Sequence, residues 1–313
     1  MKNFLVFLVI SLWLISCSQK SSENIEWIPF TWTSVNLSGR NIEKVSMNIP
    51  VRIDDLPYKF TMQFDLGAVT TNFYGNSLNP FLEKYPLLNN KLDTTKTIWM
   101  QNKENPMFCN IDLQLGDVVF KKINVGLFTN YGDDYSLDSI DSETEIHIGT
   151  IASDLFQEKI LIIDYKSNRL AVTDSLPSEY QRVSFESINI DNGRIKIPFR
   201  INGKIEYLMF DTGSSLFPLS TTKQNAIEIG STEIVDSLTI SSWGNLFTTY
   251  GLNTTVPIMF GNEIFESSIV YYEEEPIFDY FYENEKIWGL TGNAFFFNNI
   301  VIIDYKNNRF GVR

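Results

Sequence analysis

Histidine is the scarcest chemically useful residue in this chain. The 313 residues include one histidine and two cysteines. A single histidine, His147, excludes a metal site built from several histidines. Any serine–histidine–aspartate triad would have to use His147, whose surroundings (EIHIG, 145–149) are typical of an ordinary strand.

Positive charge is also scarce. The chain has 25 Lys and Arg against 38 Asp and Glu, a formal net charge of −13. Nucleic-acid binding needs clustered cations at the phosphates, so this balance argues against a nucleic-acid partner. It also argues against a polybasic contact with a membrane surface. The hydrophobic fraction of 43% and the aromatic fraction of 14% indicate a folded globular protein.

The N-terminus carries an apolar run over residues 4–15, preceded by Lys2 and followed by Ser16 and Cys17. A membrane-spanning helix needs about 20 apolar residues, so a signal peptide is the better interpretation. The segment LISC (14–17) resembles the lipobox of bacterial lipoproteins. That resemblance implies cleavage before Cys17, lipid attachment at Cys17 and a place in the cell envelope. The alternative is a plain secretory signal with a cysteine near the cleavage point.

Lipid attachment at Cys17 would leave Cys109 without a partner for an internal disulfide. The mature protein would then depend on burial alone for its stability. We predict a signal peptide and lipobox over 1–17 and a polar tether over 18–26.

The rest of the chain contains an internal duplication. Six landmarks recur in the same order at offsets of 140 to 148 residues, which single chance matches would not do. The matched pairs are 49–53 with 197–201, 64–67 (FDLG) with 210–213 (FDTG), Trp99 with Trp243, 116–120 with 261–265, Gly149 with Gly289, and 163–169 with 303–309.

The duplication predicts two similar lobes, at 27–173 and 185–313, joined by a linker at 174–184. Short runs of β-branched and aromatic residues with Asn-Gly turns at 192–193 and 202–203 predict an all-β class with barrel-like lobes. Short helices are expected within 79–92 and 221–230. The acidic segments 133–145 and 273–285 are expected to be solvated loops. The aromatic residues of the second segment suggest a contact surface there.

Each copy places an aspartate between a hydrophobic strand and a glycine: Asp65 before Leu66-Gly67, and Asp211 before Thr212-Gly213. The strand would fix the carboxylate in space, and the glycine would allow a tight turn and a close approach. Two such turns meeting would bring two carboxylates together. Because like charges at short range cannot both ionise, such a pair shares one proton and can act as acid and base.

These residues resemble the pepsin-like and retropepsin-like aspartic proteases. The segment 211–214 (DTGS) matches the Asp-Thr/Ser-Gly-Thr/Ser motif of that family, and 287–289 (IWG) matches its second signature of two hydrophobic residues and glycine. The corresponding segment 147–149 (HIG) departs from that signature at its histidine. The resemblance implies an acid protease fold of two lobes related by pseudo-two-fold symmetry.

By the same resemblance the catalytic pair is Asp65 and Asp211. The supporting loop residues are Gly67, Ala68, Thr212, Gly213 and Ser214. Trp99 lies where the family has a flap over the cleft, although the usual flap tyrosine is missing; a core aromatic is the alternative. Leu66 stands where the family has a threonine or serine whose hydroxyl bonds to the opposite loop.

Two functions are consistent with this pattern. The first is an aspartic endopeptidase that hydrolyses peptides or proteins with a water molecule activated between Asp65 and Asp211, without metal or cofactor. The second is a catalytically inactive binding lipoprotein that keeps the cleft but not the chemistry. The retained aspartates favour the first, and Leu66 and the missing tyrosine favour the second. Either protein is expected to be a monomer anchored to a membrane through Cys17.

Overall fold

A computed structural model describes residues 25–313 apart from positions 38, 101–102, 144, 243 and 266–267. The predicted signal peptide, Cys17 and the first part of the predicted tether therefore lie outside the described residues, as does Trp243. Within the described part, no helix is long and apolar enough to cross a membrane.

Strands dominate the described chain. Its first half contains β1 Ile28–Pro29, β2 Thr31–Leu37, β3 Arg40–Ile53, β4 Phe60–Phe64, β5 Asn72–Tyr74, β6 Leu92–Met100, β7 Lys103–Leu115, β8 Val118–Phe128, β9 Ile146–Ile151, β10 Ile160–Asp164 and β11 Arg169–Thr173. Its second half contains β12 Phe185–Ser187, β13 Asn189–Asp191, β14 Arg194–Ile201, β15 Lys204–Phe210, β16 Leu219–Thr221, β17 Gly230–Ser242, β18 Asn245–Thr254, β19 Ile258–Phe260, β20 Glu263–Phe265, β21 Ile269–Glu273, β22 Gly289–Thr291, β23 Ile300–Asp304 and β24 Arg309–Val312.

The helices are short. They are α1 Gly75–Lys84, α2 Pro86–Asn89, α3 Lys223–Ile229 and α4 Pro276–Glu285, with 3-10 turns at Ser153–Phe156, Ser178–Tyr180 and Asn293–Phe296. The predicted all-β class is confirmed. The helices expected within 79–92 and 221–230 are present with shifted bounds, as α1 with α2 and as α3.

The strands form three sheets. An eight-stranded sheet has the order β2-β3-β4-β9-β5-β8-β7-β6, and a ten-stranded sheet has the order β17-β18-β21-β16-β22-β15-β14-β19-β20, with β13 paired to β14. The third, six-stranded sheet has the order β1-β11-β10-β23-β24-β12. Its central pair, β10 with β23, is antiparallel and joins the two halves of the chain.

Alternation of side chains explains how these strands build a core. In β14 the alternate residues Ile195, Ile197, Phe199 and Ile201 are buried. Successive strand residues point to opposite faces, so these four side chains face one core. The hairpin to β15 turns at Asn202-Gly203, where both residues have positive φ (48° and 79°). This is the twist-matched turn that an Asn-Gly pair predicts.

One expectation was wrong. The segment 273–285 was expected to be a solvated loop, but it contains the end of β21 and the helix α4. Glu273 and Glu285, at its two ends, are buried. The acidic composition suggested solvent contact, whereas three of the four aromatic residues between these two acids pack wholly or partly inward, the exception being the exposed Tyr280. Tyr282, only 2% exposed, is one of the three.

Candidate functional site

Asp65 and Asp211 follow strands with equivalent surroundings. Strand β4 runs parallel to β9, and strand β15 runs parallel to β22. The Asp65 N–H donates to the carbonyl of Ile151 at 2.9 Å, and the Asp211 N–H donates to the carbonyl of Thr291 at 3.0 Å. Each aspartate is therefore fixed at the carboxyl end of its strand by a bond to the neighbouring parallel strand.

The turn after each aspartate folds back onto its carboxylate. The Oδ1 atom of Asp65 accepts the N–H groups of Gly67 and Ala68, both at 3.0 Å. The Oδ1 atom of Asp211 accepts the N–H of Gly213 at 2.8 Å. These bonds hold each carboxylate in one orientation, with its other oxygen left for the opposite turn.

Glycine is required in both turns because each one packs against the other aspartate. A Cβ atom added to Gly67 would lie 2.4 Å from Cγ of Asp211. A Cβ atom added to Gly213 would lie 2.6 Å from Cγ of Asp65. The two turns are thus in reciprocal contact, and the two carboxylates converge between them.

Burial and mutual contact control the protonation of this pair. Asp65 is 8% exposed, and Asp211 is half-buried. Burial, followed by the negative charge of Asp211, raises the pKa of Asp65 well above its ordinary value. Burial also raises the pKa of Asp211, against the opposing effect of a hydrogen bond with Asp65. A pair of this kind titrates as one unit that retains a proton to higher pH than an isolated aspartate.

One threonine joins the two turns. The hydroxyl of Thr212 donates to the carbonyl of Phe64 and accepts the N–H of Leu66, both at 2.9 Å. Thr212 and Leu66 are fully buried. Leu66 has no hydroxyl with which to return such a bond, and its side chain packs in the hydrophobic core instead. The hydrogen bonds between a side chain of one turn and the main chain of the other are therefore made by Thr212.

A buried polar chain supports the second turn. The Asn293 amide donates to the carbonyl of Thr212 at 2.8 Å and to Oγ of Ser215 at 3.0 Å. The Tyr165 hydroxyl, from the other half of the chain, donates to Oδ1 of Asn293 at 2.6 Å. Sequence reasoning missed Asn293, because a lone asparagine in a turn carries no signal of what it supports.

The pair lies at the border of two cavities. One, of about 420 Å³, is lined by Asp65, Asp211 and Glu273 among others, and we call it the Glu273 cavity. The other, of about 490 Å³, is lined by Asp65, Asp211 and Arg194 among others, and we call it the Arg194 cavity. Both carboxylates therefore face open space on two sides, which is what an extended ligand crossing the pair would need.

Two hairpins border these cavities. The hairpin β6–β7 contributes Trp99, which is 69% exposed, and Met100 to the Arg194 cavity. The hairpin β17–β18 contributes Phe247 to the Arg194 cavity and Leu246 to the Glu273 cavity. Trp99 thus lies at the cavity as the flap interpretation expects. Sequence reasoning missed Phe247 and Leu246, although the repeat of Trp99 at position 243 marked that hairpin.

Arg194 is the cationic group beside the pair. Its Nε donates to the carbonyl of Gly67 at 3.4 Å, and its guanidinium forms an ion pair of 2.7 Å with Glu285. Its positive charge lowers the pKa of Asp211, in opposition to burial. Sequence reasoning missed both residues because neither belongs to a repeated landmark.

All the predicted pair and loop residues are brought together: Asp65, Gly67, Ala68, Asp211, Thr212, Gly213 and Ser214. In the described part of the chain, no group of three or more His, Cys, Asp or Glu side chains is arranged to hold a metal ion. Two carboxyl groups held together in this way can perform acid–base chemistry.

The Thr212 bridge gives the first prediction. Thr212→Val keeps the shape but removes the hydroxyl, so the Phe64 carbonyl and the Leu66 N–H lose a buried partner. We expect a loss of roughly 1–3 kcal/mol in the free energy of unfolding, measured in urea. Thr212→Ser retains the hydroxyl and should cost less. A serine variant as destabilised as the valine variant would contradict the assignment of the bridge.

The second prediction concerns pH. The raised pKa values mean that the folded state holds its protons more tightly than the unfolded chain, whose aspartates titrate near 3.8. The stability from these groups is therefore complete below that pH and is lost as pH rises through the folded pKa values. Asp65→Asn removes the like-charge contact, so it should stabilise the fold by roughly 0.5–2 kcal/mol at pH 7.

The gain should be smaller at pH 4, because the raised pKa values let the wild-type pair hold more of its protons there than at pH 7. Urea unfolding at both pH values measures it. Asp117→Asn, in the exposed turn between β7 and β8, is the matched control and should show neither effect. A gain from Asp65→Asn that is as large at pH 4 as at pH 7 would rule out this account of the pair.

Comparison with known proteins adds no family to this description. No protein-family model matches the chain, and no curated protein sequence matches it.

Proposed function

We propose that this protein is an aspartic endopeptidase of two similar lobes with an acid protease fold, and that Asp65 and Asp211 are its catalytic residues. The observation that carries the proposal is the reciprocal packing of Gly67 and Gly213 against the opposite carboxylates. Such packing does not add to the hydrophobic core, because it places two acids side by side. A pair of buried acids is a cost in stability that a catalytic role explains.

The division of the sheets supports the two lobes. The eight-stranded sheet is built within Thr31–Leu37 to Ile146–Ile151, and the ten-stranded sheet within Asn189–Asp191 to Gly289–Thr291. Each contains the same local arrangement, a strand that ends at an aspartate beside a parallel strand carrying Gly149 or Gly289. The landmark pairs 49–53 with 197–201, 64–67 with 210–213, 116–120 with 261–265 and Gly149 with Gly289 fall on strands and turns of these two sheets, and 163–169 with 303–309 falls in the six-stranded sheet.

The pair can hydrolyse a peptide by acid–base chemistry. With one proton shared, the ionised carboxylate removes a proton from a water molecule held between the two acids, and the water oxygen attacks the scissile carbonyl carbon. The protonated carboxyl donates a hydrogen bond to the carbonyl oxygen as negative charge develops there. Proton transfer to the amide nitrogen then releases the amine and breaks the C–N bond. No cofactor takes part in these steps.

A binding protein without catalysis is the second candidate, and Leu66 is the observation that favours it. Leu66 has no hydroxyl, so it cannot give the main chain of the Asp211 turn the two bonds that Thr212 gives to the main chain of the Asp65 turn. In that case peptides would bind in the two cavities and remain uncut. The substitutions below separate the two candidates.

The third prediction is catalytic. Asp65→Asn and Asp211→Asn should each lower kcat/KM for peptide cleavage roughly 10²–10⁴-fold, because each removes the acid–base pair. The double variant should lose no more than the worse single variant, since the two groups act as one unit. Asp117→Asn should cleave at the wild-type rate. The assay is mass spectrometry of a random decapeptide library incubated from acid to neutral pH.

Cleavage that persists in the double variant would refute the mechanism. A wild type that binds library peptides without cutting them, with binding retained in both single variants, would select the binding protein instead.

We also propose that the mature chain begins at Cys17 and is anchored in the cell envelope of a bacterium, acting on peptide or protein substrates as a monomer. The support is the sequence 14–17 and its apolar leader. As the fourth prediction, the native protein should sediment with membranes, and Cys17→Ser should release it or block its processing. A wild type found wholly in the soluble fraction would disprove the anchor, and Cys109→Ser is the control that should leave sedimentation unchanged.

A further inference from the structure

A third carboxylate, Glu273, lies in the cavity that adjoins the Asp65–Asp211 pair. It ends β21, is 5% exposed and lines the Glu273 cavity. Its neighbour in the chain, Glu274, faces outward and pairs with Lys223 at 2.6 Å. Successive residues at the end of a strand point to opposite sides, so one acid faces the cavity and the other faces solvent.

The groups that hold Glu273 are neutral hydroxyls. The Ser220 hydroxyl donates to it at 3.4 Å, and the Thr249 hydroxyl, which donates to the Tyr272 carbonyl at 3.4 Å, lies near enough to lower its pKa. The Ser220 oxygen in turn lies 3.0 Å from the Tyr282 hydroxyl. Hydroxyl groups orient a carboxylate without neutralising it. Burial, with a smaller contribution from Glu275, raises the pKa of Glu273 to about 7, as expected for a buried acid.

The rest of the cavity wall fits a long aliphatic chain with a positive end. The described residues that line it include Leu216, Phe217, Phe278 and Leu290, and none of them is a lysine, arginine or histidine. A lysine or arginine side chain carries an apolar stem and a charged head, so it can bury the stem along such a wall and place the head at a carboxylate. An acidic side chain would meet Glu273 and the catalytic pair without any compensating cation.

The Arg194 cavity differs from the Glu273 cavity in its charged group. There the charged group beside the pair is a guanidinium, already held by Glu285 and by the carbonyl of Gly67. The two sides of the Asp65–Asp211 pair therefore differ in the ionisable group that lines them, a carboxylate on one side and a guanidinium on the other, and a basic side chain is favoured on the Glu273 side.

We propose that Glu273 is a specificity-determining residue, which selects peptides with a lysine or arginine side chain next to the bond that lies over the Asp65–Asp211 pair. This inference rests on the proposed function, because only a protease would cleave the selected peptides. Recognition of the basic side chain by Glu273 requires only that peptides bind in the cleft.

The test compares side chains that differ only in charge. Decapeptide libraries carry lysine, norleucine or glutamate at one fixed position, with the other positions randomised. They are incubated with the full-length protein in mild detergent. Norleucine has the apolar stem of lysine without the ammonium group. The wild type should cleave the lysine library roughly 10–100-fold faster than the norleucine library, the usual value of a hydrogen-bonded charge. The glutamate library should be cleaved least.

Glu273→Gln keeps the size and hydrogen-bonding capacity of the side chain and removes its charge. The lysine-to-norleucine ratio should fall toward one in this variant, whatever its absolute rate. Glu274→Gln, one residue further and outside the cavity, is the matched control and should keep the wild-type ratio. A Glu273→Gln variant that cleaves both libraries more slowly by one factor, with the ratio intact, would show a structural role only and overturn the proposal.

Binding to the Asp65→Asn, Asp211→Asn double variant separates this inference from the proposed function. One outcome is a protein that never cleaves but binds lysine peptides, and loses that binding with Glu273→Gln. This outcome would support recognition by Glu273 and contradict the proposed protease function. Cleavage by the wild type without preference for lysine would support the protease function and contradict recognition by Glu273. If no library is either bound or cleaved, both proposals fail.

Discussion

The contact between Asp65 and Asp211 removes two acids from water and sets them against each other, and the surrounding structure is arranged to hold that contact. The main-chain N–H of each aspartate is bonded to a parallel strand, and its carboxylate accepts backbone N–H groups of its own turn. The opposite turn packs against the carboxylate with a glycine, which has no side chain. A buried like-charge pair tends to separate or to neutralise itself. Here reciprocal packing prevents separation, so the pair responds by holding a proton.

A single residue, Thr212, links the two turns through its side chain. Thr212 uses both capacities of its hydroxyl, as donor to Phe64 and as acceptor from Leu66, so two main-chain groups of the first turn are fixed by one side chain of the second. Leu66 contributes in another way, through full burial in the core. Packing is less directional than hydrogen bonding, yet a fully buried leucine still restrains the turn that carries it.

The sequence predicted the parts of this site that repeat, and little else. Asp65, Gly67, Asp211 and Gly213 could be found because the same local turn is written twice and each turn has its own chemistry. Arg194 and Glu273 could not be found, since each occurs in one copy only. Their roles depend on long-range packing, Arg194 against the other turn and Glu273 among β16, β18 and α4. The same limit explains why 273–285 was expected to be a loop: composition indicates average exposure, not which face of a helix is covered.

Arg194 completes the electrostatics of the pair. Burial alone would drive both acids toward the neutral form, and a fully protonated pair has no base with which to activate water. Burial is the largest effect and leaves the pKa of Asp211 raised, and a cation beside Asp211 opposes it. Glu285 and the Gly67 carbonyl hold the guanidinium in place from two directions, and Lys196, buried against the same Glu285, strengthens that anchor. The Arg194–Glu285 ion pair in this way holds in place the cation that lowers the pKa of Asp211 against burial.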